Sequence, residues 1–308
     1  MAGHVISNHA QLLSKAVGAL THERVGRVYH LRSIEDVAQA TIERVPLDLD
    51  RRHDHGPFDV IGDVHGCIDE LLALLAQLGY QIGYQTDRES PRLVVVPPPG
   101  RTALFVGDLG DRGPDTPMVY RLVMPMVRAG QARCVMGNHD SKLLRKLKGN
   151  DVQLGHGLAE TVAQFDREPP AFREEVRHFL ETLPTHYLLD GGTLVLAHGG
   201  LREDLHGRVS DRVRSFTLFG DTTGETDEQG MPVRRNWAAE YKGRPLVVYG
   251  HTPVPEPAWE NNTVNIDTGC VFGGRLSALR YPEREIVSVP ARRCYSPPGK
   301  PFLPDVDQ

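Results

Sequence analysis

The chain has 308 residues, 40% of them hydrophobic and 24% charged, with a net charge of −5. Such a composition fits a globular chain of one large or two small domains and argues against a basic nucleic-acid coat protein. No apolar run approaches the roughly 20 residues a bilayer span needs, and no signal peptide is read at the N-terminus, so a cytoplasmic location is expected. The four cysteines (Cys67, Cys134, Cys270, Cys294) lack any CxxC spacing and read as reduced thiols rather than a disulfide framework.

Residues 1–56 are polar, hold six of the fourteen histidines and read as an N-terminal extension or linker, with SIEDVAQATIERV able to form a short helix. From residue 57 to 308 the pattern is that of one domain. FDVIG (58–62) is a short apolar run ending in glycine, hence a buried strand, and CIDELLALLAQLG follows with helical periodicity. RLVVV and TALFVG are two further strands, a helix spans about 115–129, and ARCVM is a short strand. SKLLRKLK, the segment around 156–165 and FREEVRHFLETL are helical. HYLLD and TLVLAH form a hairpin about a DGG turn, where glycine supplies positive φ. PLVVYGH, TVNIDTG and RLSALR continue as strands, and the polar, Gly-rich stretch 220–236 reads as a surface loop. Strand–helix alternation followed by hairpins predicts an α/β (α+β) fold: two mixed sheets packed as a sandwich with helices outside.

Five apolar runs end in metal-ligand residues: VIG-Asp63-Val-His65-Gly, FVG-Asp108-Leu-Gly-Asp111-Arg112-Gly, VMG-Asn138-His139-Asp140, VLA-His198-Gly-Gly and VYG-His251-Thr-Pro. A strand fixes its last residue, and a glycine-rich loop lets backbone approach an ion or phosphate. The donors are two carboxylates, three imidazoles and one amide oxygen, without thiolate, as hard-to-borderline divalent ions require. Asp63, His65, Asp108, Asn138, His198 and His251 suffice for two ions about 4 Å apart, with Asp108 bridging and a water between them as nucleophile. Any one fragment alone reads as an ordinary strand-end turn; the shared form of all five is what carries the argument. Cys67 and Cys270, beside motif residues, read as small buried thiols more readily than as redox sensors.

GDVHG (62–66), GDLGDRGP (107–114), GNHD (137–140), HGG (198–200) and GHTP (250–253) resemble the signatures of the calcineurin-like metallophosphoesterases, in order over residues 57–290. The resemblance implies that family's fold. It also implies that Asp63, His65 and Asp108 hold one metal and that Asp108, Asn138, His198 and His251 hold the other. Arg112 would grip the phosphate with Asn138, and His139, oriented by Asp111, would be the general acid. Mn²⁺ is the metal the resemblance favours, with Ni²⁺, Fe and Zn²⁺ also suited to such donors. GPFDVIGDVHGC, VMGNHDSKLLRKLKG, VVYGHTPV and NIDTGCVFGGRLSALRYPE are more narrowly similar to the phosphatase module of bacterial polynucleotide kinase-phosphatase, which places Asp267 at the active site.

That narrower resemblance implies RNA 3′ ends as substrate, as 2′,3′-cyclic phosphate or 2′/3′-monophosphate. Lys142, Arg145, Lys146 and Lys148 would offer a local footing for the backbone. No P-loop and no KxDG motif is found, so kinase and ligase modules would be partners of an excised or split system. A homo-oligomer is compatible with the sequence. A protein Ser/Thr phosphatase and a dinucleoside tetraphosphatase would use the same metal core, and an inactive scaffold is the alternative from a different class.

Overall fold

The computed structural model describes residues 32–39, 48–86, 91–228 and 232–299. Within the extension, only Ile34–Gln39 (α1) of the expected SIEDVAQATIERV helix lies among them. The chain then runs through β1 (Asp50–Arg51), β2 (Phe58–Ile61), α2 (Ile68–Gln77), β3 (Gln81–Thr86), β4 (Pro91–Val96), β5 (Thr102–Phe105), α3 (Thr116–Arg128), β6 (Ala132–Cys134) and α4 (Asn138–Leu147). It continues as α5 (Leu158–Phe165), α6 (Pro170–Thr182), β7 (His186–Leu189), β8 (Leu194–Ala197), α7 (Asp211–Phe219), β9 (Thr222–Thr226), β10 (Pro232–Arg234) and α8 (Trp237–Glu240). The strands β11 (Leu246–Tyr249), β12 (Ala258–Glu260), β13 (Thr263–Asn265), β14 (Arg275–Tyr281) and β15 (Glu285–Pro290) complete it.

The strands form a six-stranded sheet, β1-β7-β8-β11-β13-β12, and a five-stranded sheet, β15-β14-β2-β5-β6. Both are mixed, but each contains a parallel trio: β2, β5 and β6 in one, β8, β11 and β13 in the other. Side chains alternate across a strand, so each buried strand feeds two cores. Phe58, Val60, Leu104, Leu196, Val248 and Val264 meet between the sheets. Ile61, Ala103 and Phe105 face the other way, under α2, α3 and α6, while Val195, Ala197 and Val247 pack outward beneath α7 and α8. The result is the expected α/β sandwich, helices outside two sheets. β1 precedes residue 57 and adds an edge strand beside β7. Leu49 is buried there, and Asp54 accepts from Arg133 Nε at 2.6 Å.

The segment 220–236 differs from its reading as a loop. Thr222–Thr226 and Pro232–Arg234 pair as an antiparallel hairpin. β4 also stands apart from the two large sheets, pairing with β3 alone among the described strands.

One buried charge lies on β2. Asp59 is fully buried and accepts from Arg101 Nε at 3.0 Å, Arg280 Nε at 3.3 Å and the Tyr80 hydroxyl at 3.1 Å. Removing one partner of a buried ion pair leaves charge without solvation and typically costs about 3–5 kcal/mol. Arg101→Ala is therefore expected to lower unfolding free energy by about 3 kcal/mol, read as a lower urea midpoint at constant m-value. A midpoint unchanged within error would contradict this account of Asp59.

Candidate metal centre

The six strands of the two parallel trios end at one rim of the sandwich, and each is followed by a loop bearing site residues. β2 leads to Asp63 and His65, β5 to Asp108, Asp111 and Arg112, and β6 to Asn138 and His139; these come from the five-stranded sheet. β8 leads to His198, β11 to His251 and β13 to Asp267, from the six-stranded sheet. Ligands gather at the carboxyl ends of parallel strands because the loops there converge while the strands hold their starting points.

The loops reach their geometry through constrained backbone. His65, Asp108, Asp111, Arg112 and His251 all have positive φ (46°, 48°, 71°, 69° and 74°), a region costly for side chains other than glycine. Two glycines answer a different need. A Cβ on Gly137 would overlap the Asp108 carboxylate, and one on Gly250 would overlap that of Asp63. At these two positions the glycine before the candidate ligand leaves room for a carboxylate from another loop.

Asp108 occupies the centre. Its Oδ1 accepts the His139 amide at 2.9 Å, and its Oδ2 lies 3.3 Å from His198 Nε2 and 3.7 Å from His65 Nε2. On one side the donor atoms of His65, Asp108 and His139 lie within 4.8 Å of one another, and on the other those of Asp108, His198 and His251 do. Asn138 Oδ1 completes the second group, 2.9 Å from both His198 Nε2 and His251 Nδ1. His65 Nδ1 donates to the Gly110 carbonyl at 2.7 Å and His198 Nδ1 to that of Val106 at 3.1 Å, so each turns its Nε2 toward Asp108.

Asp63 lies beside this pair of groups. Its Oδ2 accepts the His251 amide at 3.1 Å, while its Oδ1 is buried with no hydrogen-bond partner. An orphaned carboxylate oxygen in a nest of imidazoles and carboxylates fits a divalent cation. Asp267 is buried against Asp63. Its Oδ1 caps the Gly269 amide at 3.0 Å, so it combines the turn role with a place in the cleft.

The electrostatics reflect crowding. Burial, then the charge of Asp267, raises the Asp63 carboxyl well above the ordinary range. Burial pushes Asp267 itself up to about 6. Burial also opposes the ionised form of Asp108, yet His198, His139 and His65 outweigh it and hold Asp108 low. The same partners act in reverse on His198, which Asp108 and Asp63 push up to about 9 against its burial. Burial holds His65 and His251 well below the usual imidazole range, aided by Arg112 and His198 respectively.

Around these donors sit the other polar residues that the sequence motifs carry. His139 Nδ1 bonds Asp111 Oδ2 at 2.6 Å. Arg112 Nη1 donates to His65 Nε2 at 2.8 Å, and its guanidinium lies 5.2 Å above the Phe272 ring. Of the basic helix residues, Lys142 donates to the Gly155 carbonyl at 2.8 Å and Lys148 pairs with Glu181 at 2.8 Å, while Arg145 points outward. Cys67 and Cys270 are buried, with Glu70 beside them.

Arg234 was not anticipated. From the hairpin read as a loop, its Nη2 donates to His251 Nε2 at 2.9 Å and its Nε to the Phe219 carbonyl at 2.8 Å. The only available signal was an Arg-Arg pair in a polar stretch between two motifs. His156 also lies outside the five motifs, and Lys142, Arg112 and His139 all lie near enough to add to burial in lowering it.

A family profile described as calcineurin-like phosphoesterase matches residues 56–283. The chain is 48% identical over 242 residues to the asymmetrical bis(5'-nucleosyl)-tetraphosphatase PrpE of Anoxybacillus flavithermus, covering 77% of this chain and 96% of that one. It is 47% identical to the protein of the same name from Bacillus subtilis, with the same two coverages. A crystal structure provisionally described as a diadenosine tetraphosphatase superposes with a TM-score of 0.57 at 29% identity, over 79% of this chain and 97% of that one. A Saccharomyces cerevisiae protein serine/threonine phosphatase superposes at 0.52 and 15% identity, over 79% and 82%, a likeness of fold alone. The two PrpE relatives and the first of these structures carry the tetraphosphatase name rather than that of the polynucleotide kinase-phosphatase module, so they back the dinucleoside reading over RNA ends. Among the described residues no helix is long and apolar enough to cross a membrane.

The Asp63 and Asp267 carboxyls, raised in the folded chain, favour folding while protonated, below about pH 4, and that share is lost as pH rises, through about 6 for Asp267. A cation restores it by replacing the protons, and His198 must also shed one. Mn²⁺ added to chelator-treated protein is expected to raise Tm more at pH 7.5 than at pH 5.5. Equal increments in scanning fluorimetry would count against a cation held by these carboxylates.

Proposed function

The chain belongs to the calcineurin-like phosphoesterase family, and on that footing we propose that it hydrolyses bis(5'-nucleosyl) tetraphosphates asymmetrically, parting one phosphate from three. The observation that carries the reading is 48% identity to a tetraphosphatase of that name across nearly its whole length. The cleft supports it: Arg112 on one flank and Arg234 on the other suit a chain of several phosphates better than a single one.

In this reading the catalytic domain is residues 57–308. Asp63, His65 and Asp108 hold one divalent ion, and Asp108, Asn138, His198 and His251 the other. Two such ions, Mn²⁺ by preference and otherwise Ni²⁺, Fe or Zn²⁺, would acidify water and draw charge from phosphoryl oxygens. Arg112 binds the non-bridging oxygens as a fork, with Asn138 and Asp267 lining the same pocket. The carboxylate of Asp111 fixes the His139 ring through Nδ1, which leaves Nε2 to carry a proton. Water adds to the α-phosphorus and the α–β bridging P–O bond breaks. The bridging oxygen departs on the triphosphate with the electron pair and takes the His139 proton.

Mn²⁺-loaded protein is expected to turn over diadenosine tetraphosphate, giving ATP and AMP, at least about tenfold faster in kcat/KM than a phosphopeptide or an RNA oligonucleotide ending in 2′,3′-cyclic phosphate. Asp108→Ala should lower that rate on the order of 10³-fold. Preference for the RNA end would reinstate the polynucleotide assignment on the same metal core.

The acid role has its own signature. His139→Ala should cost about 10²–10³ in kcat on the tetraphosphate, and much less on p-nitrophenyl phosphate, whose phenolate leaves without a proton. Equal losses on both would remove His139 as the acid.

A further inference from the structure

Phe219 ends α7, and Gly220, with φ of 74°, turns the chain away behind it. Of the large apolar side chains exposed among the described residues, two are aromatic, Phe219 and Trp259. Trp259 carries the Arg284 guanidinium 5.9 Å above its ring. Phe219 instead stands at the mouth of the cleft, 40% exposed, its centroid 6.4 Å from the His251 ring at 76°. A single exposed phenylalanine is ordinary on a protein surface. This one is distinguished by its neighbours.

Arg234 binds both the Phe219 carbonyl and His251 Nε2, so ring and guanidinium form one unit against a ligand histidine. That unit is held from below. Phe216, one turn back on α7, packs on Trp237 at 5.9 Å, and Trp237 packs on Tyr249 at 5.1 Å. A Cβ on Gly200 would overlap the Trp237 ring, so the loop after His198 rests on the same support.

The opposite flank has a different character. His139, Arg112, Lys142 and His156 cluster there, cationic and polar. The leaving oxygen moves toward its proton donor, so the triphosphate departs along that flank. The nucleoside on the phosphate that stays behind must extend elsewhere, and the His251 flank offers an aromatic face next to a guanidinium. Purine and phenyl faces stack without sequence-like selectivity, and one base contributes an amount worth roughly tenfold or more in affinity.

We propose that Phe219 is the stacking platform for the nucleobase of the nucleoside monophosphate product, with Arg234 beside it on the phosphate. This rests on the tetraphosphatase reading for its substrate but is tested by product binding, which needs no turnover. AMP and ribose 5-phosphate share a phosphorylated sugar and differ in the base. Calorimetry on the Mn²⁺-loaded full chain should show AMP binding about tenfold more tightly than ribose 5-phosphate. Phe219→Ala and Phe219→Leu should each abolish the difference, and Phe219→Trp should keep it; Leu preserves apolar bulk if Ala disturbs the helix end. In kinetics, Phe219→Ala should raise KM for diadenosine tetraphosphate about tenfold with a much smaller change in kcat.

Equal affinity of AMP and ribose 5-phosphate for the unaltered chain would overturn the platform, as would an AMP advantage that survives in Phe219→Leu. If the advantage is present and depends on Phe219 while the tetraphosphate is not cleaved, the substrate reading falls and the base site stands.

Discussion

Five carboxylates, Asp63, Asp108, Asp111, Asp140 and Asp267, are buried within one cleft, and their mutual repulsion is the constraint around which the structure is arranged. Like charges in a low-dielectric site cannot all ionise unless cations or protons intervene. The chain meets this in two ways. Asp140 is removed from the ligand set and used as a staple: it accepts from Tyr120 at 2.8 Å, the Leu109 amide at 3.1 Å and the Gly137 amide at 3.1 Å, tying the β5 and β6 loops together. Asp108 is surrounded by imidazoles. Asp63 is left beside Asp267, whose charge adds to burial in raising it.

Holding that arrangement takes backbone the chain would not otherwise adopt. Among the described residues, five of the nine non-glycine positions with positive φ are site residues, and His156, beside Arg112, is a sixth. Each costs on the order of 1–3 kcal/mol, offset by the well-packed sheets on which the loops stand. The glycines serve proximity more than flexibility, since at Gly137 and Gly250 the place of a side chain is already taken by a carboxylate.

Much of this was legible in the sequence because it is local. A strand, a glycine and a candidate ligand lie within five residues, so Asp63, His65, Asp108, Asn138, His198 and His251 could be singled out as candidates, as could the sandwich, since β8 and β11, buried on both faces, are unbroken apolar runs. The Asp111–His139 bond was expected only through resemblance, its partners being 28 residues apart. Arg234 and Phe219 were missed for a physical reason. Both act through tertiary contact with His251, and the hairpin that brings Arg234 there has a polar, Gly-rich sequence indistinguishable from a loop. His156 was hidden likewise, its place set by the 155–157 turn packing against Arg112.

The rim is split evenly: three loops bearing site residues belong to each sheet, and Asp63 of one touches Gly250 and His251 of the other. The distance between the two halves of the centre is therefore set by the thickness of the apolar layer between the sheets, where Val60, Leu104 and Val248 interdigitate. A close-packed interior transmits a change of one methylene as a small displacement rather than absorbing it. Residues that never approach a phosphate thus act as the spacer of the active site, and exchanges among them would alter ion selectivity and reactivity before they altered the fold.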